Sequence, residues 1–461
     1  MLAISLPIVL SNISIPILGA IDTGVIGQLG DAIAIGAVGI GAIILGAVYW
    51  LFGFLRMGTT GFVAQAFGRD DTSEVVALLI RGVLIGFFCG LFVILIHPII
   101  FWLSFLISPS SNQVEVLALE YMSVRIFSAP AIISTYAVMG WLIALEKTKY
   151  VLILQLTMNG LNAILDFWFV LGLGWGVEGV AWATFIAEWF AFFVGLGICF
   201  IISKNFPKII WSIVFSRTKI LSILLVNRDI FLRSLMLEMI FVSFLMTSGK
   251  FGDVELAATQ ILLQFLHISA YGMDGFAFAA EVLVGQAVGK SNRIMLRDAV
   301  IKAGLWTFII AVFMSIIYAI LGPLFIQIMT TSDEVRLVSE TFLIFIVIGP
   351  ILGALPFLMD GIFVGATRSV DMRNMMFLSL IIYALAAYVL VGLYGFYGLW
   401  VALLVSFIVR GLSLLSKYPR LEKSIILLVL KHARVDVQLP LVYLILILAA
   451  QSKLDFRALP E

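Results

Sequence analysis

AIAIGAVGIGAIILGAVYWLFGFL, residues Ala32–Leu55, holds no Asp, Glu, Lys or Arg and is longer than the ~20 apolar residues that carry a helix across the hydrocarbon core of a bilayer. Three further runs, Leu2–Ile21, Ala303–Ser332 and Asn374–Val409, reach or exceed that length. The whole chain shares the bias. Of 461 residues 62% are hydrophobic and 12% charged, where soluble domains carry roughly 25% charged residues. Mean hydropathy is +1.16. Such a chain cannot clothe a soluble surface, and the class is an all-α, multi-pass integral membrane protein with the lipid bilayer as its solvent. A net charge of +1 supplies no basic stripe, so no nucleic acid partner is expected. Cys89 and Cys199 lie inside apolar runs and read as packing thiols, not a disulfide framework. Leu2 begins an apolar run with no basic lead, and another span follows where a cleavage site would stand, so it opens a transmembrane helix and not a signal peptide. The missing polar lead makes us expect that a short N-terminal segment is absent or trimmed.

Polar and glycine-rich punctuation predicts twelve helices, near 2–28, 32–67, 75–107, 114–145, 150–172, 177–203, 222–248, 255–289, 294–330, 334–366, 372–392 and 396–416. Basic residues alternate across the loops. Arg69, Lys147, Lys149, Lys204, Lys208, Arg217, Lys219, Arg228, Lys290, Arg293, Arg297, Arg368 and Arg373 fall on one side, and only Lys250 and Arg336 on the other. By the positive-inside rule both termini are cytoplasmic. The longest polar link, about Lys204 to Arg233, falls almost halfway and contains Pro207. We therefore divide the chain into a six-helix lobe at 1–205, a cytoplasmic linker at 206–221, a second six-helix lobe at 222–417 and a tail at 418–461. The apolar runs of the tail, Ile425–Leu430 and Leu439–Ala450, are too short to span, and an interfacial or disordered segment is expected there.

The halves repeat. Gly27-Gln-Leu-Gly30-Asp31 is matched by Gly249-Lys-Phe-Gly252-Asp253, Gln65-Ala-Phe-Gly68 by Gln286-Ala-Val-Gly289, Pro130 by Pro350, and Gly176-Val-Glu-Gly179 by Gly395-Phe-Tyr-Gly398. The order is kept and the offset is nearly constant. Six helices per unit bring both halves into the membrane from the same side, which is a parallel repeat, and transport sites favour repeat interfaces.

An ionisable residue inside a span costs roughly 2.5–3.5 kcal/mol on insertion scales, so each one needs a reason. Asp22, near the outer end of the first helix, and Asp166, near the outer end of the fifth and one turn after Asn162, lie at similar depth, as does Thr184 early in the sixth. Burial and a neighbouring carboxylate both disfavour ionisation, so a pair of this kind tends to hold a proton near neutral pH and suits a proton-responsive switch. The alternative is a static clamp in which each aspartate only accepts hydrogen bonds. A possible polar site in the second half comprises Glu238, Asp274, Glu281 and Asp360. Asp274 and Glu281 are seven residues apart on one helical face, where they can line a pocket for cations or pair internally with Arg56, Arg81 or Arg125. Pro7, Pro16, Pro130, Pro350 and Pro356 can kink helices, and Pro16, six residues before Asp22, is the expected hinge. The 37 phenylalanines and 16 methionines serve lipid contact and packing, and they also suit bulky amphipathic cations.

Leu6-Pro7 to Ile21-Asp22-Thr23-Gly24-Val25-Ile26-Gly27, the two Gln-Ala-x-Gly strings, Asn162 to Asp166, and Asp360-Gly361-Ile-Phe-Val-Gly365-Ala-Thr-Arg368 together resemble the multidrug and toxic compound extrusion (MATE) family, and within it the bacterial DinF-like branch. The resemblance covers about residues 2–417. It implies two six-helix lobes around a central cleft, and export of organic cations or other toxic amphipathic compounds in exchange for protons or sodium ions. It also implies a cation-coupling cluster in the first lobe, on Asp22, Tyr136, Asn162, Asp166 and Thr184. A NorM-like branch places acids in the second lobe, where Glu238 and Asp360 occupy similar helices. The reading is a monomeric, proton-coupled antiporter of the bacterial inner membrane, with no cofactor beyond the coupling ion H+ (alternatively Na+) and no metal. The rivals are a sodium-coupled antiporter of the same family and a lipid-linked sugar flippase of the same superfamily, which would want a cationic cavity where this chain offers mainly acids. An enzyme is not expected: the histidines are His97, His267 and His432, and no HExxH motif is present.

Overall fold

Four helices of this molecule end in the same way, and the four endings form two pairs related by the repeat. In the computed structural model, which describes residues 1–28, 31–107 and 111–436, Asp70, Glu146, Ser291 and Thr367 adopt positive φ of 51 to 60°. At each, the next backbone N–H reaches back five residues, as from Lys147 to Leu142 (2.8 Å) and from Arg368 to Phe363 (2.9 Å). This is a Schellman-type cap built without the usual glycine. Asp70 and Ser291 are 221 residues apart, as are Glu146 and Thr367. The sequence repeat is thus a repeat of backbone conformation.

The helices between these caps are α1 (Leu2–Gly27), α2 (Ala32–Gly68, broken at Phe52 and Gly53), α3 (Thr72–Ile107), α4 (Asn112–Ala144), α5 (Thr148–Gly172), α6 (Gly176–Ser203), α7 (Arg217–Ser248), α8 (Asp253–Gly289), α9 (Arg293–Met329), α10 (Asp333–Gly365), α11 (369–394) and α12 (396–436). Gly395, at φ 58° and ψ −134°, separates the last two, in keeping with its repeat mate Gly176, which opens α6 also at φ 58°. Among the described residues nine stretches have the length and hydropathy of a membrane span. The last of them divides at Gly395, and α1 and α8 complete the twelve-helix bundle. Large apolar side chains such as Leu95, Trp102, Phe200, Ile320 and Tyr388 stand exposed along the helices, as a lipid-facing surface requires.

Two expectations are corrected. Helix α7 begins at Arg217, inside the stretch expected to be linker, and the link itself is held down. Arg81 of α3 donates from Nε to the Val214 carbonyl (2.7 Å) at the end of the single turn Trp211–Val214, while Lys219 meets Glu74 (2.5 Å). The tail does not depart from the bundle at residue 418, because α12 runs on to Asp436. Buried Leu414, Leu421 and Ile425 share one helical face, and Glu422 receives Arg293 (2.8 Å) and Arg297 from the start of α9. Short apolar runs signal interfacial helix only when no partner covers the apolar face; here α8–α10 supply that cover. Residues 437–461 lie outside the described residues.

Within the first lobe α2 and α3 pack on α4, and α1 and α6 on α5; within the second α8 and α9 pack on α10, and α7 and α10 on the α11–α12 unit. The lobes meet through α2 and α8, flanked by α1, α7 and α10. At the end of the bundle that carries the basic loops the two Gln-Ala-x-Gly strings lie against each other. A Cβ on Gly68 would strike the backbone of Gln286, and one on Gly289 the backbone of Gln65. Gln65 donates from Nε2 to the Gly365 carbonyl (2.9 Å) and to Thr367 Oγ1 (3.1 Å), and Gln286 donates to Glu146 Oε1 (2.9 Å). Each glutamine therefore crosses to the cap of the other lobe. With spin labels on the exposed residues Asp71 and Lys290, the unaltered protein should show a short inter-label distance. Gly68→Leu should move that population to longer distances, and an unchanged distribution would mean that the glycine contact does not hold the lobes closed.

Candidate cation-coupling site and the inter-lobe cleft

Asn162 joins the first-lobe residues. With its amide turned so that the oxygen accepts from the Thr184 hydroxyl (3.1 Å), its nitrogen donates to Asp22 Oδ1 (3.0 Å) and Asp166 Oδ2 (3.3 Å), linking α1, α5 and α6. The Asp22 and Asp166 carboxyls are also within hydrogen-bond reach of each other, a contact that needs one proton between them. Asp166 is fully buried, Asn162 and Thr184 nearly so, and Asp22 is half-buried. Among the described residues no fixed donor reaches Asp166 Oδ1. Asp166 immediately precedes a π-helical turn, Phe167–Gly172, a feature that often marks functional sites. Tyr136 makes no hydrogen bond to these four among the described residues; it stands half-buried on α4, within electrostatic reach of Glu188 and Arg56. Pro16 falls within α1, and its side chain lies outside the described residues.

A second buried group borders this cluster. Arg125 of α4 donates from Nη2 to Glu188 Oε1 of α6 (2.9 Å) and from Nη1 to the Tyr121 hydroxyl (2.9 Å), and Tyr49 bonds the Arg125 carbonyl (3.0 Å). Arg125 and Glu188 both lie within electrostatic reach of Asp22. Glu188 escaped the sequence reading, although the signal was present: it is four residues after Thr184 and so on the same face of an apolar helix.

The four acids expected to form one second-lobe polar site fall into separate environments. Glu281 pairs across the lobes with Arg56 of α2 (3.0 and 3.4 Å), whose guanidinium also sits 3.6 Å above the Phe278 ring. Asp360 Oδ2 takes both Arg233 of α7 and Arg410 of α12. Glu238 is exposed on α7, and Asp274 is half-buried on α8 with no hydrogen bond among the described residues. The expectation of mainly acids in the spans is corrected as well, since Arg56, Arg233 and Arg410 are buried. Arg233 ends the polar link that begins at Lys204, and Arg410 stands near the expected end of helix 12, so neither position signals a buried cation in the sequence. Among the described residues no group of three or more His, Cys, Asp or Glu is arranged to hold a metal ion.

A family model, MatE, matches residues 7–168 and 230–389, once in each lobe. The chain is 34% identical over 423 residues to the DNA damage-inducible protein F of Escherichia coli (strain K12), covering 90% of this chain and 91% of that one. Among solved structures, a MOP superfamily transporter from Pyrococcus furiosus superposes with a TM-score of 0.82 at 19% identity over 91% of this chain and 95% of its own. The bent form of a Vibrio cholerae MATE transporter gives 0.79 at 20% over 92% and 96%.

Proposed function

The chain belongs to the MatE family, and we propose from this premise that it is a proton-coupled antiporter of the bacterial inner membrane that exports organic cations or other toxic amphipathic compounds. The observation that carries the reading is the Asn162 amide spanning Asp22 and Asp166 in a buried site. Protonation there removes charge that the Asn162 and Thr184 dipoles stabilise, and the contact between α1 and α5 is altered. Helix α1 also packs along α8, where a Cβ on Gly275 would strike Val9 and the Ser5 carbonyl. One helix thus touches both the proton site and the wall of the cleft. A shift of α1 gives substrate two different surfaces in two states, which is what coupling requires.

Sodium coupling would use the same oxygens. The deciding experiment places purified protein in liposomes with a pH gradient and a sodium gradient imposed separately, and a fluorescent organic cation as reporter. Flux driven by the pH gradient alone is expected; flux driven only by sodium overturns the proton assignment. A flippase for diphosphate-linked lipids wants unpaired positive charge in the cleft, whereas Arg56, Arg233 and Arg410 are each engaged by a carboxylate.

The reading places the end that carries the basic loops in the cytoplasm, with both termini there. Cysteines introduced at Ser111 and Gly252 should react with an impermeant reagent in intact cells, and those at Lys147 and Arg293 only after permeabilisation. The reverse pattern would invert the topology. Asn162→Ala and Thr184→Ala should slow pH-driven efflux without abolishing it, since they remove hydrogen-bond partners and leave both carboxyls in place.

A further inference from the structure

From Trp189 to Arg228 the chain holds no Asp or Glu, and it holds five basic residues, Lys204, Lys208, Arg217, Lys219 and Arg228. Three of these are engaged. Lys219 meets Glu74, Arg228 meets its neighbour Asp229 (3.0 Å), and Lys204 lies over the Phe200 ring (5.6 Å). Lys208 and Arg217 are exposed, and no carboxylate reaches either among the described residues. Between these two cations stand Ile209, Ile210, Trp211 and Phe215, all exposed, Trp211 to 57% and Phe215 to 61%. The two rings are about one helical turn apart in sequence and stacked, with centroids 5.9 Å apart and planes at 16°. An exposed apolar patch rimmed by cations marks a surface that meets something other than water.

The depth of the link identifies it. Helix α3 has 36 residues and is therefore ~54 Å long. The hydrocarbon core takes ~30 Å of this, which leaves about two turns of α3 in the head-group layer at each end. Arg81 stands about two and a half turns from the start at Thr72, where head groups give way to hydrocarbon. This buried arginine grips the link: Nε donates to the Val214 carbonyl (2.7 Å), Nη2 to the Ile213 carbonyl and Nη1 to Glu74 Oε1 (2.7 Å). Val214 is buried against the bundle while Trp211 and Phe215 are left outside. The link is thus pinned at head-group level with its aromatic pair exposed, in the company of lysine and arginine that interfacial segments carry.

Charge then selects among lipids. Arg81 and Lys219 share the single carboxylate of Glu74, so the pinning cluster is already positive before Lys208 and Arg217 are added. A zwitterionic head group brings its own cation into that field, whereas an anionic one brings net negative charge. We infer that residues 208–217 form a binding surface for an anionic phospholipid, in which Lys208 and Arg217 take the head-group phosphate and the Trp211 and Phe215 rings lie among the upper acyl carbons. A soluble acidic partner would have to enter the head-group layer to reach the same place. The surface stands where α6 of the first lobe is joined to α7 of the second, and it is independent of the antiport reading.

The test places a bimane fluorophore on the exposed position 212, by Ser212→Cys in the full-length protein with Cys89→Ser and Cys199→Ser. The protein is held in nanodiscs of phosphatidylcholine doped with lipid that bears a nitroxide near the head-group end of one acyl chain. Nitroxide phosphatidylglycerol should reach half-quenching at a concentration about fivefold or more below that of nitroxide phosphatidylcholine, the factor of one basic residue at an anionic surface. Raised salt should narrow the gap. Lys208→Gln with Arg217→Gln should make the two lipids equal, and Trp211→Ser with Phe215→Ser should weaken quenching by both. Equal quenching by the two lipids with the link unaltered overturns the anionic site. Quenching by neither leaves the link in water or against a soluble partner and overturns the docking altogether. A preference that survives loss of both cations puts the lipid elsewhere and rejects these residues. Loss of the preference in inorganic phosphate, at an ionic strength where chloride preserves it, makes this a site for the free anion and not for lipid. Should the double variants fail to accumulate, Lys208→Gln alone and the salt dependence of the unaltered link decide the same question: a preference unmoved by either rejects the proposal.

Discussion

Asp22→Asn and Asp166→Asn should each abolish efflux driven by a pH gradient while the protein remains folded in the membrane. The isosteric amide keeps most of the hydrogen bonds around Asn162 but no longer titrates, so the site stays built and loses its switch. Substrate binding to the solubilised protein should weaken as pH falls in the wild type, because in the proposed antiport proton and substrate favour different states. In Asp22→Asn it should become nearly independent of pH. A one-unit pKa difference between states is worth ~1.4 kcal/mol, a tenfold change in affinity, which is enough to measure and enough to drive exchange. Full pH-driven efflux by both variants would remove the first lobe from the coupling mechanism.

Asp360→Leu should be the most damaging single substitution to stability. It leaves Arg233 and Arg410, both buried, without the carboxylate they share. Removing one partner of a buried pair costs about 3–5 kcal/mol, and here two cations are orphaned at once. The expected result is a much lower melting midpoint in detergent or failure to accumulate. Adding Arg233→Leu and Arg410→Leu should recover much of the loss, because it removes the two buried cations that the first substitution leaves without a partner. If the triple variant is no better than Asp360→Leu alone, the deficit lies in packing and not in charge.

What the sequence made legible was whatever depends on periodicity and cost. Apolar runs announced the spans, and the cost of a charge in apolar surroundings singled out Asp22 and Asp166, which the Asn162 amide bridges in the structure. Seven-residue spacing put Asp274 and Glu281 on one face, but it could not say which of them meets an arginine from the other lobe. That depends on Arg56, 225 residues away in sequence. Tyr136 shows the limit of family pattern: the right residue type is present, yet it makes no hydrogen bond to the cluster among the described residues. Helix α12 shows the limit of run length, since Leu414, Leu421 and Ile425 are packed by helices whose position no local window reveals.

The paired glutamines carry one more consequence. Gln65 bonds the cap at Gly365 and Thr367, and Gln286 bonds the cap at Glu146, which is the repeat mate of Thr367. A contact in which patch i meets patch j, and j of the other copy meets i, is isologous, the geometry of a two-fold dimer. Each half therefore bears both the reaching side chain and the receiving cap, and two identical six-helix subunits would satisfy this junction with nothing left over. The single chain thus keeps, between its two halves, the geometry of a two-fold interface.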